Sequence, residues 1–217
     1  MDDLSLLQRI AVWALPVIFA ITVHEVAHGW VARRLGDPTA MMLGRLTLNP
    51  IKHIDPVGTL LVPAFMFMVS PFVFGWAKPV PVTWENLKNP KRDMALVALA
   101  GPFANLVMAL LWGLVIKINL MLGSQLGPVA QFLVYMGIAG ISINLILMVL
   151  NLLPIPPLDG GRVLSGLLPG PWAWQLNRLE SYGFAVLLLL LVTGILGKIL
   201  TPMVSALQSA LYSMLAL

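Results

Sequence analysis

Two of the three histidines in this chain stand four residues apart beside one of its three glutamates, in the window His24-Glu25-Val26-Ala27-His28. On an α-helix that spacing brings His24 and His28 onto one face, one turn apart, where two imidazoles can grip a single Zn²⁺. Glu25 projects beside that face, placed to hold a water rather than the metal. The alternative is that these are polar helix-packing groups. It is a costly one, because ionisable side chains in an apolar stretch need partners, and a shared ion supplies one.

Two imidazoles leave zinc short of a protein ligand, and Asp159 is the best offer of another. It is the first charge after the uncharged run 118–158, within Asn151-Leu152-Leu153-Pro154-Ile155-Pro156-Pro157-Leu158-Asp159-Gly160-Gly161. The three prolines stop the entering helix, and the two glycines let the chain turn tightly and approach another group. Asp159 could instead cap a helix starting near Gly160 or pair with Arg162. Asn151 has two readings: a donor to a developing oxyanion, or a partner for backbone carbonyls freed by the prolines.

These residues sit in a chain of 217 residues with 59% hydrophobic and 10% charged side chains, where a soluble domain carries roughly 25% charged. That excludes a water-soluble globular protein. Charge is absent from 10–23, 57–77, 94–116, 118–158 and 181–197, so several membrane spans are expected rather than one anchor. The 17 Pro and 18 Gly imply that some are broken or bent. With no Cys, disulfides and thiolate metal sites are excluded. The net charge of +4 does not point to nucleic acid, because the basic residues fall in short segments between apolar runs, a pattern of membrane topology. The first charges, Asp2 and Asp3, and the absence of a small-residue cleavage site speak against a cleaved signal peptide.

The first span is expected over about 7–31, closed by Arg33, Arg34, Gly36 and Asp37-Pro38. Residues Met41 to Leu48 alternate loosely, which suits a short strand pair. Val57 to Trp76 is long enough to cross but carries Pro63, Pro71 and Gly75. A full crossing there would put the basic segments 33–56 and 77–93 on opposite sides, against the cytoplasmic preference of Lys and Arg. A re-entrant, Pro-broken hairpin is therefore expected. Two spans joined at Gly123–Gly127 follow, Ala95 to Leu122 and Pro128 to Leu153, then a final pair, Ser181 to Leu200 and Pro202 to Leu217. This topology gathers ten of the thirteen Lys/Arg on one side, and it also brings His24, His28 and Asp159 to one face of the membrane. The remaining polar residues read more plainly. His53 suits a surface loop, with capping of zinc as its functional alternative, and Asn105 and Asn144 suit helix packing with an interhelical hydrogen bond.

Taken together, HEVAH in the first span, AGPFAN at 100–105 and NLLPIPPLDGG at 151–161 resemble the three signatures of the site-2 proteases, intramembrane zinc metalloproteases. The resemblance covers about residues 10–165. It implies one Zn²⁺ held by His24, His28 and Asp159, Glu25 as catalytic base, Asn151 near the substrate carbonyl, and a membrane-associated β-element at 40–50. It also implies a minimal form without PDZ or CBS domains. The expected fold is an all-α polytopic membrane protein of about five transmembrane helices, a re-entrant segment and that small β-element. It would form a single domain over 1–217, with a catalytic core at about 7–165 and a C-terminal helical pair at about 178–217. The expected function is an endopeptidase cutting transmembrane segments of membrane-protein substrates. It would sit in the lipid bilayer of a prokaryotic plasma membrane with its active site toward the cytoplasm. A transporter and a catalytically silent metal-binding scaffold are the alternatives; a transporter usually shows more intramembrane ionisable residues, and often a repeat, than this sequence does.

Overall fold

The computed structural model describes residues 4–62, 75–123 and 127–217, and among these it is helical without strands. Helix α1 (Leu6–Arg34) begins at Ser5, whose hydroxyl accepts from the Gln8 amide while the Gln8 side chain accepts from the Ser5 N–H. This reciprocal cap fixes where the first apolar run becomes helical. The buried side of α1 includes Val12, Pro16, Ala20, His24, His28 and Ala32, one residue every fourth position. The two histidines thus belong to the stripe that packs inward, not to a face turned to lipid.

The further α-helices among the described residues are α2 (Thr39–Met42), α3 (Pro90–Leu122), α4 (Pro128–Asn151), α5 (Asp159–Leu167), α6 (Gly170–Arg178), α7 (Glu180–Val192) and α8 (Ile195–Leu215), with short 3₁₀ or π turns at Pro50–His53, Pro56–Leu61 and Trp84–Asn86. Helix α3 is central: it packs against α1, α4, α5 and α8, and α1 also packs against α4. Ala109 and Ile116 of α3, Ile141, Leu145, Met148 and Val149 of α4 and Leu211 of α8 form the main apolar core. Small residues permit that closeness. A Cβ on Gly113 would come within 3.1 Å of Leu211 Cδ2, so α3 and α8 meet at a position without a side chain.

Among the described residues, three helices are long and apolar enough to cross a membrane, Leu6–Arg34, Pro90–Leu122 and Val129–Asn151. The pair α6 and α7, bent by 59°, adds a fourth at most. The chain is an integral membrane protein by these spans, but the expected count of about five is not reached among the described residues. The expected final pair also breaks elsewhere. Pro202 lies inside α8, and the chain turns at Gly194, whose φ of +72° suits glycine.

The expected β-element at 40–50 is not a strand. Asp37 accepts from the Thr39 N–H and starts the short helix α2, and the chain then turns through Gly44 at φ +63°. Residues 45–49 follow as bends with no strand beside them. For the expected re-entrant hairpin at 57–76, residues 63–74 lie outside the described residues. Its described flanks are hydrogen-bonded to each other, Trp76 N–H to the Gly58 carbonyl at 3.0 Å and the Thr59 hydroxyl to the Trp76 carbonyl at 2.8 Å.

Candidate metal centre

The cluster of His24, His28 and Asp159 forms where α1, α3 and the start of α5 meet. His24 Nε2 and His28 Nε2 lie 3.0 Å apart, and Asp159 Oδ2 lies 3.2 Å from the first and 3.3 Å from the second. All three side chains are buried. Ligands of a tetrahedral ion at bond lengths of about 2.0–2.1 Å are separated by roughly 3.3 Å, so the observed spacing fits Zn²⁺. Among the described residues no other three His, Asp or Glu side chains gather this closely.

The outer nitrogens of the rings show why these inner atoms need a cation. His24 Nδ1 donates to Asn105 Oδ1 at 2.6 Å, and His28 Nδ1 donates to the Val97 carbonyl at 2.7 Å. The Asn105 orientation is set by its other contacts. Its Nδ2 donates to the Ala20 carbonyl and to Asn144 Oδ1, and Asn144 Nδ2 in turn donates to the Gly140 carbonyl. With the proton on Nδ1, each neutral imidazole turns an unprotonated Nε2 inward. Asp159 Oδ2 is buried without a donor. Three such atoms within 3.3 Å of one another, each with a lone pair to offer in this tautomer, form a donor set that a shared cation would bridge.

Room for an ion comes from Gly101 on α3. A Cβ there would lie 2.5 Å from His24 Cε1 and 2.6 Å from His24 Nε2, and against His28 Nε2 as well. The site opens on a cavity of about 150 Å³ lined by His24, Glu25, His28, Val80, Asn151, Asp159 and Arg162 among others. Glu25 is half-buried on its wall, and its Oε2 accepts the Val80 N–H at 2.8 Å. Asn151 also lines the wall, and its Nδ2 donates to the Leu147 carbonyl one turn back at 3.0 Å. Asp159 opens α5 rather than pairing with Arg162, whose guanidinium is 3.9 Å from Glu180.

His53 departs from its expected place. It is 2% exposed and its Nε2 donates to the Thr47 carbonyl, so it is a buried tie between turns and is not in the metal cluster. Three site residues were legible only as packing groups: Gly101, Asn105 and Asn144. The spacing Gly101-Pro102 to Asn105 was visible in the sequence, but its pairing with His24, 81 residues away, was not.

Comparison with known proteins bears on the family of the chain. Residues 118–194, which contain Asp159, match the model of peptidase family M50. A Bacillus subtilis protein named "Putative zinc metalloprotease YwhC" is 41% identical over 191 residues, 88% of this chain and 84% of the relative. "Putative zinc metalloprotease Rip2" of Mycolicibacterium smegmatis is 31% identical over 202 residues, 91% of this chain and 74% of the relative. "Putative zinc metalloprotease MJ0611" of Methanocaldococcus jannaschii is 36% identical over 164 residues, covering 74% and 71%. No solved structure matches the chain. Similarity of this extent along most of both sequences places the chain in peptidase family M50, to which it belongs.

Proposed function

We propose that this chain is an intramembrane zinc endopeptidase that hydrolyses peptide bonds in or near transmembrane segments of membrane-protein substrates. One observation carries the reading: two imidazole nitrogens and one carboxylate oxygen meet at 3.0–3.3 Å between apolar helices, beside a cavity that also holds Glu25. In this reading His24, His28 and Asp159 hold one Zn²⁺ per chain, the metal named for the relatives. Zinc bound there supplies a Lewis acid that polarises a peptide carbonyl and acidifies water.

The residues around it do the rest. Glu25 has one oxygen on Val80 and uses the other, Oε1, to take a proton from the attacking water and pass it to the leaving amine. Asn151, on the cavity wall, donates to the developing oxyanion. Helical amides are already hydrogen-bonded, so a substrate span must unwind to reach the cavity, which favours substrates with helix-weakening residues. Residues 1–217 act as one domain, with the core at about 7–165 and the C-terminal helices from about 178 completing the bundle. The basic segments at 33–56, 77–93 and 162–178 favour a site on the cytoplasmic side, and the bacterial and archaeal relatives favour a prokaryotic plasma membrane.

Purified wild type, His24→Ala, Asp159→Ala and Glu25→Gln, assayed for zinc content and for cleavage of a model transmembrane substrate, test this reading. The wild type carries one zinc, the ligand variants lose both zinc and cleavage, and Glu25→Gln keeps zinc and loses cleavage. Retained cleavage in Glu25→Gln removes Glu25 from the base role. Solute or ion flux in liposomes that stops with Asp159→Asn would favour a transporter instead.

A further inference from the structure

The base proposed above is tied to a distant stretch of backbone by the Val80 N–H, 55 residues along the chain. Val80 stands between Pro79 and Pro81, neither of which has an N–H, so it is the one backbone donor that residues 79–81 possess. The stretch carrying it lies outside any helix and is fastened on both sides of Val80. The Lys78 N–H donates to the His53 carbonyl at 2.9 Å, Arg45 Nη2 donates to the Lys78 carbonyl at 2.8 Å, and the Thr83 N–H donates to Asp37 Oδ2 at 2.7 Å. The Val80 side chain is buried against α1 at Gly29, where a Cβ would come within 2.9 Å of Val80 Cγ1. Gly29 is four residues beyond Glu25 and so lies on the same helical face, one turn on. The missing side chain at Gly29 gives Val80 its seat, and that seat delivers its N–H to Glu25.

We infer that the Pro79-Val80-Pro81 strap is a positioning element for catalysis, in which the Val80 amide holds one oxygen of Glu25 and leaves the other to handle the proton. The inference rests on the reading of Glu25 as base. A free glutamate samples many rotamers, and a hydrogen bond to a rigid, multiply anchored backbone fixes the carboxylate before substrate arrives. The two prolines serve this twice: they stiffen the strap, and they leave Glu25 no competing neighbouring donor. Val80 acts through Glu25 and touches no reacting atom.

The test compares zinc-loaded full-length V80P with V80A in detergent micelles, using a model transmembrane substrate. V80A keeps the N–H and V80P removes it. V80P is expected to turn over roughly tenfold or more slowly than V80A, the scale of one lost charge-assisted hydrogen bond, with KM and zinc content equal in the two. G29A, whose new Cβ pushes Val80 outward, is expected to lower kcat in the same way. Adding V80A to G29A removes the Cγ atom that the Cβ meets and restores part of the loss, a rescue that general destabilisation would not give. Equal kcat in V80P and V80A overturns the inference, as does faster cleavage by V80P, which would make the strap a block. Should V80P not fold, G29A against G29A/V80A decides alone, and wild-type kcat in G29A overturns the inference. Glu25→Gln separates the two levels. If it still cleaves, the base reading fails and the inference with it; if it is inactive while V80P matches V80A, only the positioning role fails.

Discussion

Gly101→Ala should empty the metal site without touching a ligand. The new Cβ would lie 2.5 Å from His24 Cε1 and 2.6 Å from His24 Nε2, whereas ordinary contact begins near 3.4 Å, so the His24 ring must move by about 0.8–0.9 Å. The rings have little freedom to do so, because Asn105 Oδ1 and the Val97 carbonyl hold their outer nitrogens at 2.6 and 2.7 Å. Ligand distances in a metal site tolerate about ±0.2 Å, several times less than the required shift. Zinc affinity should therefore fall by more than about 100-fold, beyond the 10- to 100-fold loss typical of removing an outer hydrogen bond. Overpacking of this kind costs about 1–3 kcal/mol, small enough for the protein still to fold. Competition with a zinc chelator, read beside thermal unfolding in detergent, separates the two effects. A Gly101→Ala protein with wild-type zinc affinity and cleavage would refute the claim that this glycine makes the space between the imidazoles.

Two further perturbations follow from the same geometry. Asn105→Ala removes the acceptor for His24 Nδ1 and leaves Asn144 Oδ1 without its donor, and it should weaken zinc binding by about 10- to 100-fold while the apolar core stays intact, checked by the same chelator competition. Asp37 is fully buried, and burial raises its pKa, but hydrogen bonds from Asn86, from the Thr39 hydroxyl and from the Thr83 and Thr39 amides together hold it below the ordinary 3.8. A depressed folded-state pKa adds stability above the unfolded value, and that stability is lost as pH falls from near 3.8 through the folded value. Thermal unfolding of the wild type should thus fall on acidification below about pH 4, and in Asp37→Asn this part of the dependence should be absent.

The candidate metal ligands stood out because their residue types are rare in apolar sequence and their spacing suits one ion: two histidines a helical turn apart, and an acid behind a Pro-rich break. What the sequence left hidden was partnership across long separations. Asn105 and Asn144 read as generic interhelical polar groups, since nothing local to them says that one orients His24 and the other orients the first. His53 read as a surface residue because Lys52 and Asp55 flank it, yet it is buried, with its ring bonded to the Thr47 carbonyl and its own carbonyl accepting from the Lys78 N–H. The loose alternation at 41–48 suggested strands, but a strand needs a neighbour to satisfy its backbone, and here the chain forms a short helical turn at 39–42, with the Thr39 N–H donating to Asp37. Pro202 looked like a helix break, yet it stands inside α8 as the eighth residue, where it forgoes one backbone hydrogen bond without ending the helix, and the turn was taken by Gly194.

The two halves of the site are fixed by different means, each suited to its element. The histidines sit on a long helix whose backbone is already satisfied, so their rings are aimed by side-chain and carbonyl acceptors on α3. Asp159 begins a short helix after a broken segment, where the backbone itself must be held. There the glycines act: a Cβ on Gly161 would lie 2.5 Å from Pro156 N, and one on Gly160 would run into the Leu152 and Leu153 carbonyls. The start of α5 can therefore lie directly on the backbone of 152–156, and α7 presses on the same segment through Gly183, against the Pro156 carbonyl. A carboxylate aimed by backbone-to-backbone contact has little room to swing, just as the imidazoles have little room to turn. Both halves are thus held by the protein's own packing, so metal binding has few groups to order, and substitutions at these glycines should act on metal affinity as strongly as substitutions at the candidate ligands' own hydrogen-bond partners.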